Sequence, residues 1–172
     1  MPTINYPIFD GTLDIPTAGT RIRFTQKSVT SITAAGKVAT VTITSHGYNV
    51  GDSVTISGAV ESDFNGTFVV QSVPSANTFT VWIDADNPGA ATGTIIAYAR
   101  KPAFWLTVVA KDTNAGKIFI GGNSVSSSSG IYLEPGDSHT FPPGKFNYLD
   151  LQHLYADTAN NGDDLYYVGG TL

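Results

Sequence analysis

The chain has 172 residues, of which 41% are hydrophobic and 13% charged, with a formal net charge of −5 and no cysteine. That balance predicts a packed core in one domain or two small ones and excludes a disordered chain. It also excludes disulfides, thiolate chemistry and cysteine-based zinc sites. The nine basic residues are scattered, so there is no stripe to neutralise nucleic-acid phosphates, and no apolar run approaches membrane-spanning length. Residues 1–10 carry neither the basic nor the apolar region of a secretion signal. With so few charges, the surface must be largely Ser, Thr, Asn and Gly.

In chain order, residues 20–25 are expected to form a strand because they are similar to the opening strand of the second group resembled below. Residues 30–98 follow, rich in Thr, Val and Ser, with a single lysine and no arginine. Period-two alternation is clean here, which predicts strands with one buried face. Ala39, Val41 and Ile43 share one face against Thr40, Thr42 and Thr44; Val54 and Ile56 oppose Ser53, Thr55 and Ser57. Phe79, Val81 and Ile83 oppose Thr78, Thr80 and Trp82. Gly51-Asp52 reads as a turn and Asn65-Gly66 as a hairpin dipeptide, since both of its positions tolerate positive φ.

Residues 84–92 form a polar loop, and basic residues return at Arg100 and Lys101. Phe104, Leu106, Val108 and Ala110 then alternate with Trp105, Thr107 and Val109. Pro135-Gly136 and Asn161-Gly162 mark further turns. Residues 145–161 lack proline and glycine and hold Leu151, Leu154 and Tyr155 at helical spacing, which predicts one helical turn. Many short strands between turn signals predict a sandwich or small barrels.

Chemistry-bearing residues are few. His46, His139 and His153 never share ligand spacing, and His46, in a turn, is expected to bond local backbone, with a metal role beside Asp52 or Asp63 as its alternative. Asp84, Asp86 and Asn87 alternate oxygen ligands as calcium would need, but without the turn glycine or distal glutamate; a solvated loop is the expectation. Residues 160–164 read as a polar hairpin turn. Ser124 and the four serines at 126–129 lack a nucleophile elbow. Glu134, Asp137 and Asp150 have no spacing that pairs them as a glycosidase requires. Gly121-Gly122 is not followed by a helix, so no phosphate cradle is predicted. No catalytic residue, cofactor or metal site is expected. The outward aromatics Trp82, Trp105 and Tyr166 are the candidate interaction surface; contact between lobes or sheets is the alternative.

Residues 45–58, 64–70 and 77–81 (SHGYNVGDSVTISG, FNGTFVV and NTFTV) resemble a small β-barrel module found in phage head, tail and baseplate proteins. A related fold forms the first catalytic-cysteine half-domain of ubiquitin-activating enzymes. This chain has no cysteine, so no thioester chemistry carries over. Residues 117–122, 125–138, 150–155 and 162–168 resemble a second group of phage virion proteins, with a Gly-Ile-x-Leu-x-Pro-Gly turn at 130–136 and a final piece near Asp-Leu-x-x-Leu-Tyr at 150–155.

These resemblances imply an all-β fold of two lobes: a β-sandwich, jelly-roll-like outer domain over residues 1–28 and 101–172, and an inserted small β-barrel over 29–100. They imply a non-enzymatic virion protein, a capsid decoration, cement or head-fibre subunit. Its partners would be the major capsid protein or other virion proteins and its own copies, a trimer first, with no nucleic acid and no membrane. A tail, connector or baseplate accessory subunit and a carbohydrate-binding host-attachment module are the alternatives.

Overall fold

The computed structural model describes residues 7–86, 88–142 and 149–171. The chain divides into two units, Met1–Phe24 with Lys101–Leu172, and Thr25–Arg100. The first unit opens with β1 (Ile8–Ile15) and β2 (Ile22–Arg23). The second unit contains β3 (Lys27–Ser28), β4 (Ser31–Ala35), β5 (Val38–Thr42), β6 (Ser53–Ala59), β7 (Gly66–Ser75), β8 (Thr78–Trp82) and β9 (Gly93–Ala99). The first unit resumes with β10 (Pro102–Ala103), β11 (Trp105–Ala110), β12 (Ile118–Gly121) and β13 (Ile131–Leu133). It ends with β14 (Ser138–Phe141), β15 (Leu149–Asp150), β16 (Tyr155–Thr158) and β17 (Asp163–Gly170). Short 3-10 turns at Ser62–Phe64 and Leu151–His153 are the helical segments among the described residues.

In the second unit one antiparallel sheet runs β3-β9-β6-β7-β8-β5-β4. β3 and β4 stand at opposite ends of that order yet are neighbours in the chain, so the sheet closes on itself. Val29 N–H donates to Ile95 O (2.9 Å) and Thr30 N–H to Thr42 O (2.8 Å). Ala91 N–H reaches Ile32 O and Ala34 N–H reaches Gly89 O, both at 2.9 Å. The result is a small barrel, and closure removes the exposed edges that an open sheet carries. Alternation fills its interior with Ile32, Val41, Val54, Ile56, Phe64, Phe79 and Val81, all buried. β6 bulges between Ser57 and Ala59. Gly58 there has φ +91°, and a Cβ on it would fall 2.2 Å from Thr94 O, so only glycine fits the bulge.

The first unit is a sandwich of two four-stranded sheets, β1-β17-β11-β14 and β13-β12-β16-β2, with β10 and β15 paired beside them. Counting its eight sheet strands along the chain, the orders are first-eighth-third-sixth and fifth-fourth-seventh-second. That is the two-Greek-key jelly roll. Leu13, Leu106, Val108 and Leu165 from one sheet meet Ile118, Ile120, Leu133 and Ala156 from the other, with Phe24, Leu151 and Leu154 completing the core. Each fully buried side chain of this size contributes about 1.5–3 kcal/mol. Residues 25–100 occupy the connection between the second and third jelly-roll strands.

Four local readings change and a fifth is met. The seam expected at residues 28 and 29 lies at 24 and 25, because Lys27 and Ser28 pair with Ala97 and Ile96 of β9. The strand expected over 20–25 is reduced to Ile22–Arg23. Asn65 has φ −97° and is not a hairpin-turn residue. Its side chain instead accepts from Ala59 N–H (3.0 Å) and donates to Ala59 O (2.7 Å), tying the β6–β7 loop shut. Residues 160–164 do not make a hairpin, since β16 and β17 lie in different sheets and the chain turns a corner between them. Of the segment 145–161, residues 145–148 lie outside the described residues. The expected helical turn is the 3-10 turn Leu151–His153, after which Tyr155 begins a strand.

Candidate interaction surface

Strand register decides which aromatics share a face. On β17, Tyr166 stands opposite Val109 of β11 and Thr12 of β1, while Gly170 stands opposite Trp105. Leu165 and Leu106 point into the core, so Tyr166, Val168, Thr12, Val109, Thr107 and Trp105 all face outward. Tyr166 and the Trp105 position are four residues apart along β17, about 13 Å. The two differ in posture. Tyr166 is 51% exposed, and Lys111 Nζ sits 4.7 Å from its ring centroid. Trp105 is half-buried and lies over the backbone of Gly170, where an added Cβ would come within 2.5 Å of Trp105 Nε1. A shallow open depression beside Tyr166 is lined by Asp10, Thr12, Val109 and Val168. The Thr107 and Thr140 hydroxyls, 2.9 Å apart, carry the face onto β14. Trp82 belongs to the other unit. It ends β8 opposite Val38 and is 57% exposed.

The ionisable groups around this sheet hold the fold. Asp163 and Asp164 are adjacent but point opposite ways. Buried Asp163 accepts from Ala115 N–H (2.7 Å), Thr158 Oγ1 (2.9 Å) and Asn160 Nδ2 (3.3 Å). Asp164 pairs with Lys111, and that hydrogen bond raises the lysine above its ordinary range. Glu134 similarly raises Lys117, 2.9 Å away. Asp137 Oδ2 accepts from Glu134 N–H (3.2 Å) across the turn with Gly136 at φ +87°, a loop of the type expected from Pro135-Gly136. Asp150 caps the 3-10 turn through Gln152 N–H (3.2 Å). Glu134 and Asp137 are therefore turn neighbours, and Asp150 works at a separate turn.

His46 accepts from Tyr48 N–H at Nδ1 (3.0 Å) and donates from Nε2 to Ser75 O (3.1 Å), so backbone engages both nitrogens and fixes one tautomer. This is the local-backbone role read from its turn setting, and neither nitrogen is left for a metal. His139 packs edge-on against Phe141 at 4.7 Å, and His153 is exposed at the end of its turn. Asp84 and Asp86 are exposed, and Asn87 lies outside the described residues. Ser126 and Ser129 bond one another across a small turn. Among the described residues no three His, Asp or Glu side chains gather as a metal site, and no helix is long and apolar enough to cross a membrane.

No family model matches the chain, and no curated protein matches it. Among solved structures the chain is similar to a phage phi92 endosialidase, with 27% sequence identity and a TM-score of 0.33. The match covers 48% of this chain and only 13% of that one. At that level of likeness the fold rests on the strand order and register above.

The pattern of β17 signalled Tyr166 in the sequence. Thr12, Val109 and Val168 beside it gave no signal, because their adjacency exists only once β1 and β11 flank β17.

Proposed function

We propose that this chain is a non-catalytic structural protein of a bacteriophage particle, a capsid decoration, cement or head-fibre subunit that binds the capsid surface and its own copies. The observation that carries this reading is the outward face of the β1-β17-β11-β14 sheet, where Tyr166, Val168, Val109 and Trp105 form an aromatic and aliphatic patch bordered by Asp10 and Lys111. Aromatic residues flanked by aliphatic and hydroxyl side chains suit a protein contact. The phage assignment rests on the resemblances of residues 45–81 and 117–168, and a tail, connector or baseplate position is the alternative to the capsid surface. The commitment of Asp163, Asp164, Glu134, Asp150 and His46 to backbone and lysine partners supports a binding role over a catalytic one. A second reading, a carbohydrate-binding module for host attachment, is favoured by the exposure of Trp82 on the barrel.

The test is add-back to particles that lack the protein. Wild-type chain is expected to co-sediment with particles at a fixed stoichiometry, and Tyr166→Asp or Val109→Asp to lose that binding while remaining folded. Binding retained by both variants would exclude this sheet face. Binding of the pure chain to host glycans, lost in Trp82→Ala, would move the assignment to the second reading.

A further inference from the structure

The β1 strand is the edge of its sheet. It pairs with β17 over eight unbroken registers, and among the described residues no strand lies on its other side. An open edge presents unpaired backbone donors and acceptors, which proteins ordinarily blunt with charged side chains, lysine above all, or with proline or a bulge. Residues 8–15, Ile-Phe-Asp-Gly-Thr-Leu-Asp-Ile, contain no lysine, proline or bulge, and their two charges, Asp10 and Asp14, leave the strand's backbone groups open.

The ladder shows which groups face out. Thr171 N–H donates to Pro7 O (3.0 Å), so the hydrogen-bonded pairs with β17 fall at odd positions of β1. Lys111 N–H donating to Asp164 O (3.3 Å) agrees, because it assigns the even positions of β17 to β11. The N–H and C=O groups of Ile8, Asp10, Thr12 and Asp14 therefore point away from the sheet.

We infer that the β1 edge pairs antiparallel with β1 of a second copy, about a two-fold axis through Gly11. Antiparallel partners must share a face, and Phe9, Gly11 and Leu13 face the core while Ile8, Asp10, Thr12 and Asp14 face outward. This limits the symmetric registers to those centred on a residue. Centring on Gly11 sets Ile8 opposite Asp14, Asp10 opposite Thr12 and Phe9 opposite Leu13 of the other copy. Centring on Asp10 opposes Asp10 to itself, and centring on Thr12 opposes Asp10 to Asp14. The Gly11 and Thr12 registers overlap equally, over seven residues of β1, and like charges directly opposite are unfavourable, so the Gly11 register is selected by its charge match. The second copy is thus the occupant that this strand fits.

This pairing deepens the self-association within the proposed function, and particle co-sedimentation scores that function separately. The chain has no cysteine, so introduced thiols report cleanly. Directly opposed, hydrogen-bonded residues have Cα atoms about 5.5 Å apart, within disulfide reach. A mixture of Asp10→Cys and Thr12→Cys chains is expected to cross-link on mild oxidation, and either variant alone far less. By sedimentation, Thr12→Pro, which removes an outward N–H but no β1–β17 bond, is expected to weaken self-association roughly tenfold or more. Thr12→Asp, which sets a carboxylate opposite Asp10, does the same without touching the backbone. Raising salt is expected to strengthen the wild-type dimer, because Asp10 and Asp14 of both copies share one face. A wild-type chain that stays monomeric at high concentration, cross-linking as strong in single variants as in the mixture, or self-association that survives both Thr12 variants would each overturn the inference.

Discussion

Tyr167 stands directly opposite Gly11, and a Cβ placed on that glycine would lie 2.5 Å from the phenol oxygen and 2.6 Å from Cζ. The glycine leaves the space that the ring fills. Tyr167 packs on Phe24 at 5.5 Å and Phe9 at 6.4 Å, and its phenol is pushed up by burial and then by nearby Asp10. Phe9 stands over Gly169 and Trp105 over Gly170 in the same way. Three aromatic rings thus cover three glycines in one sheet.

Gly11→Ala should therefore destabilise the jelly-roll unit by about 1–3 kcal/mol, the usual cost of overpacking. Pairing it with Tyr167→Leu should recover part of that loss, because the clashing atoms are gone. Chemical denaturation of the two single variants and the double variant measures the coupling. Additive losses would show that the ring is not what excludes the methyl group.

The barrel unit should lose stability through Glu61 as pH falls through and below the usual carboxylate range. Its carboxylate accepts Thr92 N–H at 2.7 Å and the Thr92 hydroxyl at 2.8 Å. The amide bond first and the hydroxyl bond second hold Glu61 below the usual carboxylate range. A carboxyl with a lowered folded-state pKa contributes stability that is fully present above its unfolded value and is lost as pH falls through the folded value. Glu61→Gln should flatten that part of the acid limb of the barrel's stability curve. Thermal unfolding from neutral pH to below the carboxylate range would reveal this, and an unchanged limb would count against the clamp.

His46→Ala should cost the barrel about 2–4 kcal/mol, combining a core void with the loss of two part-buried hydrogen bonds to backbone. The ring stacks on Tyr48 at 5.5 Å and meets Phe79 edge-on at 5.2 Å. His46→Asn offers one acceptor and one donor group and should recover part of the loss. Equal losses in the two variants would mean that ring packing alone matters.

Replacing residues 25–100 with a short Gly/Ser linker should leave a jelly roll that folds cooperatively. The barrel's ends lie side by side, with Lys27 paired to Ala97 and Ser28 to Ile96, so a short linker spans the gap. The core of Leu106, Val108, Ile118, Ile120 and Leu165 is drawn wholly from the remaining residues. A single sharp unfolding transition with intact near-ultraviolet dichroism would support this, and an unfolded product would refute it.

Much of the barrel was legible in the sequence because its strands are consecutive and strictly alternating. Val41, Ile56 and Phe79 fall on the buried side that their spacing demands. Gly51 and Gly136 reveal turns because each needs positive φ. Asn65 misled, since its dipeptide suits a tight hairpin while its amide holds a wider loop. Asp163 and Asp164 were opaque for another reason. One is buried among donors from residues 115 and 158, and those neighbours are set by sheet crossing, which local pattern does not encode. Gly169 and Gly170 were equally silent, because glycine inside a strand makes sense only beside the rings of Phe9 and Trp105.

The jelly roll pairs residues far apart in the chain, with Ile8 opposite Gly170. During synthesis β1 emerges well before β17 and waits for it as an unpaired strand. The barrel needs nothing beyond residue 100, and three of its six strand pairings (β4-β5, β6-β7 and β7-β8) join strands adjacent in the chain. Local pairings form faster than distant ones, so the barrel is folded while its host is still incomplete. The inserted unit therefore shortens the unpaired chain that the jelly roll must close over, holding the ends of residues 24 and 101 near one another before β17 arrives.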